Sequence, residues 1–258
     1  MKCQLMSLSR SGAVRMSDEF EDIVGDIEDE LDLTLYTDID ELAEEVTAQV
    51  LLAIESGLLA KGEFHLVLTG GTLGVQISEF LLSAWNAAPE MYAGLHIYWS
   101  DERFVDLDSS ERNAAPLHGK LTNKNIVVHE SLAPNSPASI EDAVADYAKA
   151  LNGVTIDLNI LGVGPDGHVA SLFPGVADLD DLRSIFAITD SPKPPAARIS
   201  FTMKLINEAR EIWIVAAGES KADAVAKIIE GDLSIPASYV SAVERTRLIV
   251  DQAAFFTE

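Results

Sequence analysis

The stretch DLNILGVGPDGHVASLFPG, residues 157–175, joins an apolar run to a loop rich in glycine. The run at 156–161 predicts a buried strand, and Gly162, Gly164 and Gly167 then spell G-x-G-x-x-G. This spacing after a strand is typical of a dinucleotide-binding turn. Pro165 and Asp166 argue against that function, because they place a rigid residue and a carboxylate where a pyrophosphate would approach.

Two other interpretations of this loop stay open on these residues alone. One is a purely structural turn in which the histidine is hydrogen-bonded, which is the usual explanation for an isolated D-G-H. The other is a catalytic loop, in which the glycines bend the chain so that Asp166 orients His168. An imidazole held in this way can take up a proton near neutral pH.

Outward from this loop, short apolar runs alternate with helix-length stretches. Ile39, Leu42, Val46, Val50 and Ile54 recur at helical spacing behind a capping pattern, for example. Such an order predicts an α/β fold with a mostly parallel, Rossmann-like sheet covered by helices on both faces. We expect a single domain over residues 31–258, after an acidic and flexible N-terminal extension over residues 1–30. The expected strands are LDLTLY (31–36), FHLVL (64–68), LHIYW (95–99), NIVV (125–128), IDLNIL (156–161), SIFAIT (184–189), EIWIVAA (211–217) and TRLIV (246–250).

Composition excludes several classes of function. The 258 residues carry 42 acidic and 18 basic side chains, a formal net charge of −24, which argues against binding to nucleic acid or to anionic membranes. The single cysteine, Cys3, excludes a disulfide within the chain and a thiolate metal cluster. With neither an apolar span of membrane length nor a secretory signal, the chain is expected in the cytoplasm.

Four more polar or glycine-rich segments follow predicted strands, so all five are expected at one rim of the sheet. They are TGGT (69–72), SDER (100–103), the stretch at 193–198 and GESK (218–221). Each has an ordinary explanation: TGGT can be a tight turn, and SDER a solvated ion pair. TGGT can equally form an anion cradle at a helix N-terminus. In so acidic a chain, clustered cations favour an anionic ligand.

Together, TGGT, SDERFV, LGVGPDGHVASLFPG, SPKPPAARISFT and AAGESKADAV resemble the 6-phosphogluconolactonases, in the same order and along nearly the whole chain from Leu31. The resemblance implies a fold shared with sugar-phosphate isomerases and glucosamine-6-phosphate deaminases. It also implies hydrolysis of 6-phospho-D-glucono-1,5-lactone to 6-phosphogluconate in the oxidative pentose phosphate pathway. Neither a metal nor an organic cofactor is implied, and the chain is expected to act as a monomer or weak homo-oligomer.

The resemblance also assigns roles to individual residues. His168 is the implied general base for the attacking water, and Asp166 orients it. Arg103 is implied at the sugar end of the site, where it either stabilises the oxyanion or binds phosphate. The full implied set is His168, Asp166, Asp101 and Arg103 for catalysis, and Gly70, Gly71, Thr72, Arg198 and Lys221 for the phosphate.

Some positions depart from the family pattern. Leu73 and Gly74 stand where threonine and proline are usual, and Val169 stands where threonine follows the histidine.

Two rival functions remain to be compared with the lactonase. A glucosamine-6-phosphate deaminase would have a different sequence after D-G-H and D-E-Y in place of D-E-R. A phosphosugar-binding domain without turnover would need neither Asp166 nor His168.

Overall fold

The computed structural model describes residues 31–136 and 138–256, so the predicted acidic extension over residues 1–30 lies outside the described part. Strands and helices alternate along most of this length. The strands are β1 (Leu31–Tyr36), β2 (Phe64–Leu68), β3 (Leu95–Trp99), β4 (Asp101–Arg103), β5 (Val127–Val128), β6 (Leu158–Gly162), β7 (Ile185–Ile188), β8 (Arg198–Phe201), β9 (Glu211–Ala216) and β10 (Arg245–Asp251). The α-helices are α1 (Ile39–Lys61), α2 (Gly71–Ala87), α3 (Ile140–Ala150), α4 (Met203–Asn207), α5 (Ala222–Glu230) and α6 (Gln252–Phe255), with 3₁₀ turns at Pro89–Tyr92, Glu219–Lys221 and Pro236–Tyr239.

Seven strands form one sheet in the order β1-β10-β9-β6-β2-β3-β5, and every neighbouring pair in it is parallel. This confirms the predicted mostly parallel sheet. All five residues of β2 are buried, as expected for a strand that is covered on both faces. The run NIVV contributes less than predicted, because only Val127 and Val128 pair with β3.

Apolar side chains of successive residues enter different cores on the two faces of the sheet. In β9, Ile212 and Ile214 pack in the core that contains α3 and α5, whereas Trp213 and Val215 pack in the core that contains α1 and α2. A strand alternates its side chains in this way. Both faces are therefore covered by helices, as the unbroken apolar runs predicted.

The start of α1 follows the predicted capping pattern with one change. The Asp38 carboxylate accepts hydrogen bonds from the backbone N–H groups of Asp40 and Glu41, both at 3.0 Å. Glu41 accepts from the backbone N–H of Thr37 at 2.8 Å and not from that of Asp38 as in a standard capping box. The cap thus fixes where the chain turns from β1 into the helix.

A second sheet of three antiparallel strands, in the order β4-β8-β7, was not predicted. The run SIFAIT was expected to extend the parallel sheet, and instead β7 pairs with β8. The segment SDER was expected to be a rim loop, and its last three residues form β4. Apolar periodicity indicates a strand but carries no information about its partner. Since β4 begins two residues after β3 ends, the small sheet starts at the carboxyl end of the large one.

Three histidines lie side by side near the β2–β3–β5 edge of the large sheet. His65 and His96 are register partners, with ring centroids 4.7 Å apart, and His96 Nδ1 lies 3.0 Å from His129 Nε2. Tyr98 stacks on His129 at 4.3 Å and contacts His65 Nδ1 through its hydroxyl at 3.2 Å. Burial, followed by the charges of His96 and His65, lowers the pKa of His129 to about 4.

This histidine row predicts a loss of stability in mild acid. In the unfolded chain His129 binds a proton near the ordinary pKa of about 6.5, whereas the folded chain binds it only near 4. The free energy of unfolding should therefore fall as the pH drops from 6.5 to 4. In His129→Gln this fall should be shallower by about 1 kcal/mol, after allowance for solvent screening. Urea unfolding at several pH values measures it.

His118→Gln is the matched control, because His118 faces Glu130 and lies outside the row. Equal pH slopes for the wild type and His129→Gln would show that the row does not titrate with folding.

Candidate active site

A cavity of about 520 Å³ opens at the carboxyl ends of β2, β3, β6 and β9. Residues from all five polar segments singled out in the sequence line it, so the structure brings those segments together. Asp166 stands just outside the lining and reaches the cavity through its contact with His168. The predicted site residues that line the cavity are Gly70, Gly71, Thr72, Asp101, Arg103, His168, Arg198 and Lys221.

The glycine-rich loop after β6 is a tight turn and does not lead into a helix. Gly164 donates a hydrogen bond to the carbonyl of His168 at 2.9 Å, and Gly167 donates to the carbonyl of Gly164 at 2.9 Å. Residues 163–184, all described, contain no helix. A dinucleotide turn delivers the pyrophosphate to the N-terminus of the next helix. The G-x-G-x-x-G spacing therefore does not indicate a dinucleotide site here.

The space beside Gly164 is filled by the imidazole of His168. A Cβ at Gly164 would overlap Nδ1 and Cε1 of that ring and would crowd the Asp166 carboxylate. Gly167 has φ +79°, a left-handed conformation that favours glycine. The glycines therefore serve the loop itself: one allows the turn, and the other leaves room for the side chains that the turn presents.

His168, Asp166 and Lys193 form a compact charged cluster. Nδ1 of His168 contacts Oδ1 of Asp166, and Lys193 Nζ lies 2.9 Å from the same oxygen and 3.1 Å from Nδ1. The ring of Phe173 packs on His168 with centroids 4.7 Å apart. Within residues 31–136 and 138–256, Nε2 of His168 has no hydrogen-bond partner. Nε2 is thus the nitrogen left for chemistry.

Contacts within the cluster set the protonation states of His168 and Asp166. Burial lowers the pKa of His168, and the hydrogen bond and charge of Asp166 act against that decrease. For Asp166, burial acts upward, but the hydrogen bonds with His168 and Lys193 outweigh it and hold the pKa at about 2. Near neutral pH the site therefore contains a neutral imidazole beside a carboxylate, which is the arrangement of a general base and its orienting acid.

The N-terminus of α2 opens onto the cavity without a side-chain cap. Its N-cap residue is Gly70, and its first turn contains no acidic residue. A Cβ at Gly70 would overlap Oδ1 of Asn113, so the backbone approaches that side chain closely. Uncapped N–H groups at the positive end of a helix form an anion site.

Lys221 lies at the end of the 3₁₀ turn that leads into α5. Burial, followed by the charge of Lys193, lowers its pKa, and Asp166 acts in the opposite direction. Across the described part of the chain, its ammonium group forms no hydrogen bond or ion pair. A half-buried cation without a partner is available to an anionic ligand.

Asp101 and Arg103 lie on β4. The buried Asp101 carboxylate accepts from Asn113 Nδ2 at 2.9 Å and from Ser171 Oγ at 2.6 Å. Arg103 Nη1 donates to the Glu111 carbonyl at 2.5 Å, and its Nε is buried without a partner among the described residues. Asp101 is thus held rigidly, whereas Arg103 keeps an unused donor.

Arg198 lines the cavity, but most of its donors are used within the protein. Nε and Nη2 donate to the carbonyls of Pro195, Lys193 and Pro194 at 3.1–3.2 Å. Only Nη1 is held more loosely, 3.5 Å from Ser171 Oγ and 3.7 Å from Asp101 Oδ2. The guanidinium therefore fixes the path of the backbone at 193–195, a role that the sequence did not suggest.

Three residues of the site were not assigned from the sequence. Lys193 lay in a segment that was singled out, but nothing indicated its contact with His168. Asn113 belonged to no motif. Glu102 accepts from the backbone N–H groups of Arg103, Asn113 and Ala114 at 2.7–3.0 Å and so joins β4 to the next loop. Burial raises the pKa of Glu102 to about 7, although these hydrogen bonds and Arg112 oppose the increase.

No set of three or more His, Cys, Asp or Glu side chains in the described ranges is arranged to hold a metal ion. No described helix is both long and apolar enough to span a bilayer.

Comparisons with known proteins agree on one family. Residues 37–250 match the model of the glucosamine-6-phosphate isomerases/6-phosphogluconolactonase family. A 6-phosphogluconolactonase from Streptomyces coelicolor is 34% identical over 247 residues, covering 86% of this chain and 92% of that protein. One from Rattus norvegicus is 38% identical over 191 residues, covering 70% and 74%. The crystal structure of 6-phosphogluconolactonase from Thermotoga maritima superimposes with a TM-score of 0.72 at 26% identity, covering 85% of this chain and 99% of that one.

The pairing of His168 with Asp166 can be tested by titration. Because the carboxylate raises the pKa of the imidazole against the effect of burial, Asp166→Asn should move the His168 titration to lower pH by about one unit or more. NMR of the histidine ring protons follows it. Asp181→Asn, which removes a carboxylate that pairs with Arg183, should leave it unchanged. An unshifted titration in Asp166→Asn would contradict the pairing.

Proposed function

Since this chain belongs to the glucosamine-6-phosphate isomerase/6-phosphogluconolactonase family, we propose that it hydrolyses 6-phospho-D-glucono-1,5-lactone to 6-phospho-D-gluconate with His168 as the general base. The enzyme class, a lactone hydrolase, is that of the 6-phosphogluconolactonases to which the chain is similar. The observation that carries the proposal is the Asp166–His168 contact at the cavity wall, which leaves Nε2 without a protein partner. We place the reaction in the cytoplasm, as the lactone-opening step of the oxidative pentose phosphate pathway.

The reaction needs one proton to be moved twice. Nε2 of His168 takes a proton from water as the water oxygen bonds to the lactone carbonyl carbon. The bond between that carbon and the ring oxygen then breaks, and the imidazolium returns the proton to the departing oxygen. Asp166 holds Nδ1–H throughout and stabilises the transient imidazolium. An activated ester needs no covalent nucleophile, which fits a wall that offers a base and cations.

Negative charge develops on the carbonyl oxygen during attack. Arg103 lines the cavity beside Asp101 and is the cation we assign to this oxyanion, because a preorganised donor stabilises charge that appears only in the transition state. To Asp101, which is fixed by Asn113 and Ser171, we assign a hydrogen bond from a hydroxyl of the sugar. Both assignments extend the role expected for the sugar end of the site.

The phosphate is assigned to the uncapped N-terminus of α2 together with Lys221. Gly70, Gly71 and Thr72 supply backbone N–H groups and a hydroxyl there, and no acidic side chain in the first turn opposes an anion. Lys221 faces the same cavity with an unpaired ammonium. The phosphate contact expected of Arg198 stays a prediction, restricted to Nη1 by the three carbonyls that occupy its other nitrogens.

The first experiment compares the wild type, His168→Gln and a blank without enzyme. Freshly generated 6-phosphogluconolactone is supplied at slightly acidic pH, where spontaneous hydrolysis is slow, and formation of 6-phosphogluconate is measured. Removal of the base should lower kcat by about 10²–10⁴-fold. His118→Gln controls for the loss of a histidine outside the cavity. If the wild type only matched the blank, the lactonase function would be wrong, and turnover of glucosamine 6-phosphate and binding without reaction would be tested next.

The phosphate assignment predicts a selective effect at Lys221. Lys221→Ala should raise KM for the phosphorylated lactone about tenfold or more, because it removes a charge-assisted contact of about 1.5–3 kcal/mol. Lys227→Ala, in α5 and outside this cavity, should leave KM unchanged. Initial-rate kinetics give both values, and an unchanged KM in Lys221→Ala would move the phosphate elsewhere.

A further inference from the structure

Lys193 contacts the nitrogen of His168 that the reaction does not use. Its Nζ lies 3.1 Å from Nδ1 and 2.9 Å from the Asp166 oxygen that contacts the same Nδ1. An ammonium only donates hydrogen bonds and a carboxylate only accepts them. Lys193 and Asp166 therefore compete for Nδ1 and require opposite protonation states of that atom.

The competition decides which ring nitrogen can act as a base. When Nδ1 carries the proton and donates it to Asp166, Nε2 has a free lone pair and can deprotonate water. When Lys193 donates to Nδ1, the proton of the neutral ring is on Nε2, which then cannot act as a base. The position of one ammonium group thus separates an active from an inactive form of His168.

The side chain of Lys193 is free to move between these contacts, whereas its backbone is held in place. Its backbone is fixed, because its carbonyl accepts from Ser191 Oγ at 3.0 Å and from Arg198 Nη2 at 3.2 Å. Its side chain, by contrast, is 39% exposed and lines the cavity. A fixed backbone with a free four-carbon side chain lets the ammonium swing while its origin stays in place.

A phosphate in the cavity would draw the ammonium away from the ring. Lys193 and Lys221 line the same cavity and are close enough for the charge of Lys193 to lower the pKa of Lys221. An anion between two like charges relieves their repulsion, and in a chain of net charge −24 few other cations are available.

We propose that Lys193 is a positioning residue that couples phosphate binding to activation of His168. In the empty site it competes with Asp166 for Nδ1; when the substrate phosphate binds, it turns to the anion and leaves Nδ1–H to Asp166 and Nε2 free. This rests on the proposed lactonase function and adds a selection step to it. A lactone without phosphate can enter the cavity but meets a base that is in its active form only part of the time.

The test separates the phosphate from the reacting ring. Wild-type enzyme is given glucono-1,5-lactone, which lacks phosphate, with and without phosphite dianion, at constant ionic strength set with chloride. Phosphite should raise kcat/KM for this lactone about fivefold or more, since coupling between two sites is typically of that size. Hydrolysis without enzyme is subtracted at each phosphite concentration.

Variants at Lys193 distinguish this coupling from a structural role. Lys193→Met should hydrolyse the unphosphorylated lactone faster than the wild type does, and phosphite should no longer accelerate it. The acid limb of its pH–rate profile should move to higher pH, because the charge of Lys193 lowers the pKa of His168. Lys193→Arg should keep the acceleration, and Lys120→Met, an exposed lysine outside the cavity, should match the wild type.

The results distinguish failure of the proposed coupling from failure of the proposed lactonase function. Hydrolysis of 6-phosphogluconolactone without any phosphite effect on glucono-1,5-lactone would overturn the coupling and leave the proposed function intact. Equal phosphite acceleration in the wild type and Lys193→Met would overturn the role of Lys193. No hydrolysis of either lactone would overturn the proposed function, and the coupling with it.

Discussion

Seven parallel strands bury apolar residues on both faces of one sheet, so the polar side chains of the candidate site lie at the ends of the strands. The middle of the sheet is closed by two helical cores. A parallel sheet aligns the carboxyl ends of its strands, so residues far apart in sequence emerge side by side. The cavity gathers residues that follow β2, β3, β6 and β9 for this reason. The small antiparallel sheet that begins beyond β3 adds Asp101, Arg103 and Arg198 to its wall.

The charged side chains that line this cavity are mostly basic, although the chain as a whole is strongly acidic. Arg103, Lys193, Arg198 and Lys221 are four of the 18 basic residues, and Asp101 is the one carboxylate among the residues described as lining the cavity. A phosphorylated ligand therefore meets a local positive region within a molecule of net charge −24. On the proposed function, this arrangement would select the ligand by contact and not by long-range attraction, because screening in physiological salt limits the outer field to about 8 Å.

The sequence anticipated the parts of this structure that depend on local pattern. Runs such as FHLVL and EIWIVAA are buried strands because they are apolar without interruption, and Asp38 caps the helix that follows it. The strand at 198–201 was missed, because antiparallel pairing with β4 is a tertiary choice that a short run does not encode. Lys193 was passed over for a similar reason: its contacts span 25 and 27 residues, and a lysine among prolines resembles any loop cation. His168 and Asp166 were singled out because they lie two residues apart in one motif, and the structure brings their side chains into contact.

The residue at position 164 depends on the residue at position 168, and this dependence can be checked in the sequences of relatives. The volume that a side chain would need at position 164 is already occupied by the imidazole of His168, so the two positions share one space. A descendant that lost the imidazole would be released from the need for glycine, and drift would then fill the vacancy with a larger residue. A side chain at this position is therefore expected in family members that lack the imidazole proposed here as the general base.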